Sequence, residues 1–527
     1  MSIERLSAIV RADFLIRFRR LSTAVVFLLL SFSVYLWIPD PSTGRALIVI
    51  DGKRAIYNSG AIGMGTASLG AMFIGLIGFY VISNALQRDV RNRCGFVIAS
   101  TPASNLEYLL GKYLGNVVFL STFMAGYMIA SMAMLLIRAE APLEPLVFMK
   151  QYLYLTPGAI TMVSMIAVVF ECVPFLRSRF GDFAYFFLWM MGMSIVAISI
   201  EGGGPPAILR FFDFSGLGFM VDQMSVQLNT TSVSIGASGF GNMNETILFR
   251  GLELSPVWIL PKVLGVFLPL ALLPIGVFFF HRFDPAKVKR SHLKKKTGWL
   301  SNLHLLLKPV TRLLAILAGR ASDGKTSLFN AARQDAVITL SLLPVAVIAL
   351  VVFAFLSIVS PVEALRTGAL PILFALLSIL IADISTREQS SGVTGIVFAA
   401  PHIKERFVAW KLLTTMIVAA LFTGIAFVRL VMTDPFTGLA FLGGTFFVCA
   451  AATGLGITSN NPKTFIVLFL MFWYIVVNDA GNSPVLDFAG LYGTITPGIS
   501  LTYIGMGIAF LALGSVVNRA RLRQQGF

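Results

Sequence analysis

The chain is poor in charge. Only 13% of its 527 residues are Asp, Glu, Lys or Arg, about half the share of an average soluble domain. A water-soluble fold of this size cannot cover its surface with so few charges. Cysteine is scarce too. Cys94, Cys172 and Cys449 stand far apart, which excludes a disulfide framework or a zinc spacing. The four histidines, His281, His292, His304 and His402, show no ligand spacing. No nucleophile elbow and no paired intramembrane carboxylate occurs. Residues 1–20 carry charge too far along for a cleavable leader, and no small-residue site closes the first apolar run.

What is abundant is apolar sequence, at 57% of residues. Runs of roughly 20 apolar residues are the length a helix needs to cross a bilayer. They occur near 22–38, 61–83, 113–137, 155–175, 182–200 and 259–281, then near 337–360, 367–386, 408–432, 437–457, 464–480 and 498–518. The expected fold is an all-α polytopic membrane protein of about twelve transmembrane helices. Most of the 41 Lys and Arg residues fall in segments that are cytoplasmic when both termini are inside, and this sets the predicted orientation. The net charge of +16 then reads as inner-surface bias and contact with anionic membrane lipid. No basic segment is large enough to form a nucleic-acid-binding domain.

The chain repeats itself. "RDVRNRCGFVIASTPASNLEYLLGK" from Arg88 aligns without a gap with "REQSSGVTGIVFAAPHIKERFVAWK" from Arg387. Arg88 meets Arg387, Asp89 meets Glu388, Pro102 meets Pro401, and Lys112 meets Lys411. Both segments follow the second span of their half. Upstream, "RAD" ending at Asp13 precedes the first span and "RQD" ending at Asp335 precedes the seventh. The reading is two parallel six-helix repeats, each preceded by an amphipathic interfacial helix. The boundaries are 1–281 for the first half, 282–333 for a basic cytoplasmic linker with its own amphipathic helix, and 334–527 for the second half.

In the first entry helix Ile3, Leu6, Val10, Phe14, Phe18 and Leu21 recur at the helical period. Arg17 sits on that stripe and is expected to snorkel to water. Lys112 and Lys411 are expected to snorkel in the same way, and Glu171 to reach Arg177 or Arg179. Arg88 with Asp89, and Arg387 with Glu388, place charge where it could dock a soluble partner. Pro102 and Pro401 should end or redirect the short helix.

One motif argues for a different chemistry. Gly319, Gly324, Lys325 and Thr326 match the phosphate-binding pattern G-x-x-x-x-G-K-[ST]. The pattern needs a buried strand before it and a helix after it inside a parallel sheet. Here a helical period precedes it and a span follows. The match is judged spurious, so this chain is not expected to be an enzyme.

The two repeat segments resemble the signature of ABC type-2 exporter permeases: Arg-Glu, a Gly-Thr-like pair, an apolar run, Pro, and Gly-Lys opening the third span. In the second half Arg387, Glu388, Gly392, Pro401 and Lys411 fit. Val393 separates Gly392 from Thr394, and Trp410 stands where the family often has Gly. In the first half Arg88, Asp89, Pro102, Gly111 and Lys112 fit, with Asp for Glu and with Gly95 two places late. The resemblance implies a permease subunit of an ATP-driven exporter in the cell inner membrane, with two usual six-span chains fused into one. It implies coupling helices after spans 2 and 8, carried by Arg88, Asp89, Arg91, Pro102, Lys112, Arg387, Glu388, Gly392, Pro401 and Lys411. It also implies two copies of a separate ABC ATPase as partners, which would hold ATP and Mg, with no cofactor in this chain. The alternative is a twelve-span ion-coupled secondary transporter. The spans carry almost no ionisable groups at depth, and the loop between spans 2 and 3 lacks the motif of major facilitator carriers. A third reading is a membrane scaffold without a transport cycle.

Overall fold

A computed structural model of the chain describes all residues except 1, 20, 92–93, 139, 178, 202–204, 230–232, 242–244, 282–326, 342–343, 400–402 and 525–527. The linker helix and the Gly319–Thr326 match therefore lie outside the described residues, as do His292, His304, His402 and Pro401.

The protein is an all-α polytopic membrane protein. Among the described residues nine helices are long and apolar enough to cross a membrane, and two bent pairs raise this to eleven. A further helix, Arg179–Glu201, covers the predicted fifth span. The chain divides into two compact units, Met1–His292 and Leu293–Phe527.

The first unit begins with the entry helix α1 (Ile3–Phe18), which bends by 76° into the first span, α2 (Leu21–Trp37). The end of the unit that carries α1 is termed the entry side below, and the other the far side. The second span, α3 (Ser59–Phe73), continues through a π-helical turn at Ile74–Gly78. Two short helices follow, α4 (Ala85–Arg91) and α5 (Cys94–Ser100). Then come α6 (Asn105–Arg138), α7 (Pro145–Cys172), α8 (Arg179–Glu201), α9 (Leu217–Leu228) and the sixth span, α10 (Pro256–Phe279). The second and fourth spans form the core, with 72% and 67% of their apolar windows buried, against 17% for α10. Small residues make this possible: the run "SGAIGMGTASLGAMF" in α3 lets neighbours approach its backbone closely.

The second unit follows the same order. Its entry helix α11 (Leu328–Ser341) bends by 98° into α12 (Pro344–Val359). The eighth span is α13 (Val362–Ile381). Short helices α14 (Arg387–Ser390) and α15 (Thr394–Ala399) come next, then α16 (Ile403–Thr433), α17 (Pro435–Ser459), α18 (Pro462–Asp479) and α19 (Pro497–Gln524). Arg429, which falls near a span end in the sequence, donates to the carbonyls of Ser360 and Ile358 and so caps the end of α12.

The far side of the first unit holds a structure the sequence reading treats only as loops. Strands β1 (Arg45–Ile50), β2 (Lys53–Ala55), β3 (Val233–Gly239) and β4 (Thr246–Ile247) form a sheet in the order β3-β1-β2-β4. Asp51 and Gly52, both at positive φ, turn β1 into β2. Asp-Gly after an apolar run is a hairpin signal, so half of this sheet was legible. The pairing of β1 with β3, nearly two hundred residues away, was not.

Candidate functional site

On the entry side of the first unit, four charged residues that the repeat singled out come together. Asp13 of α1 accepts from Arg88 of α4 at 2.5 Å and from Lys112 of α6 at 3.0 Å. Lys112 also pairs with Asp89 at 2.8 Å. The Tyr108 hydroxyl donates to the same Asp89 oxygen at 2.6 Å. One clasp thus ties the entry helix, the segment after the second span and the start of the third span. Gly111 lets the helices close. A Cβ there would stand 2.8 Å from Ile9 of α1.

The second unit builds the same clasp from the matching residues. Arg387 reaches Asp335 of the entry helix at 2.7 Å, and Lys411 reaches the other Asp335 oxygen at 2.8 Å. Lys411 also binds Glu388. Flanking positions differ. Arg17, one turn after Asp13, pairs with it at 2.6 Å and donates to Asn116 at 2.6 Å. Thr339 stands one turn after Asp335 and accepts from Arg387 at 2.8 Å. Asp383, opposite Asn84 in the repeat, lies 3.7 Å from Arg387.

These contacts correct what was expected of several of these charges. Lys112, Lys411 and Arg17 do not snorkel to water. Their side chains keep 6%, 0% and 4% of their exposure, because each pairs with a carboxylate inside its unit. The Arg88–Asp89 and Arg387–Glu388 pairs are likewise turned inward, so they do not present charge for docking. Glu171 does not reach Arg177 with its carboxylate. It accepts from the backbone N–H groups of Ala85 and Leu86 at 2.9 and 2.5 Å, capping the start of α4 from the fourth span. Arg177 instead donates to the backbone carbonyls of Glu171 and Cys172, and the side chain of Arg179 lies outside the described residues.

Burial of charge is costly unless every charge is paired. Asp13, on the entry helix ahead of the span, shows the balance. Burial opposes its ionisation, but Arg17, Lys112 and Arg88 more than offset this and hold its carboxyl below the ordinary 3.8. As pH falls the unfolded chain binds the proton first. The stability contributed by Asp13 is therefore full at neutral pH and drains from about pH 5 downward. The melting midpoint should fall on acidification in that window, with a shallower slope for Asp13→Asn than for wild type. Equal slopes would show that Asp13 is not the responsible group.

The other predicted residues lie around the clasp. Pro102 is exposed in the break between α5 and α6, where it ends the short helix. Gly392 ends α14 at φ 70°, with open space around it. The side chain of Arg91 lies outside the described residues. The short helices show apolar side chains to solvent, Val90 at 57% exposure, Val97 at 67% and Ile396 at 77%, beside exposed polar ones such as Ser100, Gln389 and Ser390.

A second duplicated element, on the far side, escaped the sequence reading. Asp213-Phe214-Ser215-Gly216-Leu217 and Asp487-Phe488-Ala489-Gly490-Leu491 share the pattern D-F-[SA]-G-L. Each precedes the last span of its unit. Both glycines are left-handed, at φ 75° and 67°, and both aspartates are buried. Asp213 accepts from the N–H groups of Gly218 and Phe219 at 3.1 and 2.8 Å, and Lys262 stands 3.5 Å away. Asp487 accepts from Leu491 and Thr494 at 2.6 and 3.1 Å. Each turn docks on a span glycine. Cβ atoms added to Gly158 of α7 and Gly444 of α17 would meet the Phe214 and Phe488 carbonyls at 3.0 and 2.7 Å. Gly158 lies midway along α7, so the first turn reaches deep into its unit. Non-helical backbone at such depth requires internal hydrogen bonds, and the aspartates supply them.

Among the described residues no three His, Cys, Asp or Glu side chains converge as metal ligands. No family model, curated protein or solved structure matches the chain.

Proposed function

We propose that this chain is the permease subunit of an ATP-driven exporter, recruiting two copies of a separate ATPase through α4–α5 and α14–α15. The carrying observation is the duplicated clasp, Asp13–Arg88–Lys112–Asp89 and Asp335–Arg387–Lys411–Glu388. A segment that receives force from a soluble motor must be joined rigidly to the membrane helices. The clasp joins it to the entry helix and the third span. In the first unit Glu171 joins it to the fourth span as well. ATP binding would draw the ATPase subunits together and displace both segments, and hydrolysis would release them. ATP and Mg belong to the partner. The clasp residues position the segment, while Val90, Val97 and Ile396 offer it an apolar docking face. The membrane would be the cytoplasmic one, with both termini in the cytoplasm.

The test is co-purification from the native membrane with a tag on this chain. Two ATPase copies per chain are expected. The paired exposed substitutions Val97→Asp and Ile396→Asp should release them. As surface changes they should shift stability by no more than about 0.5 kcal/mol. A chain that purifies alone, and moves solute in vesicles under an ion gradient without ATP, would replace this reading with a secondary carrier.

A further inference from the structure

The first unit contains a cavity of about 350 Å³ between α3, α7 and α8, in the size range of ligand sites. Ala71, Ala159, Val163, Ile166, Leu188 and Trp189 form its walls, and Phe212 with Asp213 to Ser215 of the D-F-[SA]-G-L turn forms its roof. Three of the polar side chains that line it are already engaged. The Tyr185 hydroxyl donates to the Gly75 carbonyl, and Asp213 and Ser215 serve their own turn. What enters must be held by apolar contact and shape.

The mouth lies where α8 meets the turn. Met191 and Phe212 line the cavity and are 68% and 47% exposed. Ala159 and Val163 stand near the middle of α7, so the mouth opens at the depth of the hydrocarbon core, where the surrounding solvent is lipid.

The second unit shows the same place filled. Counting back from the Arg88–Arg387 match sets Ala71 against Leu370 and Gly75 against Phe374. Phe374 is fully buried and packs on Phe488, the counterpart of Phe214, at 5.2 Å and on Phe441 at 5.6 Å. Two small residues, Ala71 and Gly75, stand in the first unit where Leu370 and Phe374 stand in the second.

We propose that this cavity is a binding site for one acyl chain of a bilayer phospholipid. A methylene group is about the size of a water molecule, roughly 30 Å³ in the liquid, so the space takes on the order of ten methylenes. The site is separate from the clasps and does not depend on the exporter reading.

The experiment uses the full chain reconstituted in phosphatidylcholine vesicles doped with phosphatidylcholine bearing a mid-chain diazirine. Adducts formed on irradiation are mapped by mass spectrometry. They should concentrate on Met162, Met191 and Met193 over the lipid-facing Leu28 and Phe32 of α2. Gly192→Phe adds a ring where nothing lies within 4 Å of the Cβ direction. Ala71→Leu imports the residue of the second unit. Each should cut the cavity adducts at least fivefold while leaving those on α2 unchanged. Two filling variants guard against one that fails to fold, which melting would reveal. Cavity adducts no denser than those on α2, or undiminished in a folded filling variant, would overturn the proposal.

Discussion

Replacing Lys411 with methionine is expected to be among the most damaging single changes in the protein, at about 3–5 kcal/mol. The ammonium is fully buried between Asp335 and Glu388, with the Trp410 ring 4.0 Å away. Without it, two carboxylates remain inside the unit with Arg387 as their nearby cation. Removing one member of a buried set costs more than removing the set, because the remaining charge is left uncompensated. The melting midpoint should fall by roughly 10 °C, taking 2–4 °C per kcal/mol for a unit of this size. Adding Glu388→Gln to Lys411→Met should restore much of the loss, since the pair then leaves neutrally. The matching Lys112→Met should cost less, because Arg17 and Arg88 still hold Asp13. Losses that merely add in the double variant would show that Lys411 and Glu388 are not coupled.

Replacing Asp487 with alanine is the second large expectation. The residue is 1% exposed, and its carboxylate accepts from the backbone of Leu491, Tyr492 and Thr494 and from the Thr494 hydroxyl. Alanine leaves those donors buried without partners, at about 1–3 kcal/mol for each backbone group. The turn should open, seen as faster proteolysis within 480–496 and a lower melting midpoint. Asp487→Asn keeps one acceptor oxygen and should fall between alanine and wild type. If asparagine and alanine behave alike, the hydrogen bonds are not what holds the turn. Asp213→Ala should open the corresponding turn of the first unit and also leave Lys262 without its carboxylate.

Of the twelve spans expected, the described residues show nine to eleven that are long and apolar enough to cross. By itself the sequence determined the membrane class, the placement of the long apolar helices, the entry helices and the broken segment after each second span. These are local properties. Span length, helical period and a gap-free repeat are all read within a few tens of residues. The D-F-[SA]-G-L pair was equally legible, but it is five residues long and sits at different distances from its neighbours in the two halves, so the alignment around Arg88 and Arg387 does not reach it. Tertiary structure alone decided what the charged residues do. Apart from Arg17 one turn on, the partners of Asp13 lie 75 and 99 residues along the chain, so no spacing rule connects them. A lysine at the start of a span looks the same in sequence whether it turns out to water or in to a carboxylate. Only packing decides between these, here through the close approach of α1 to α6 at Gly111. The β1–β3 pairing and the apolar cavity have the same origin. Each depends on which surfaces of distant segments meet, and no local pattern encodes that.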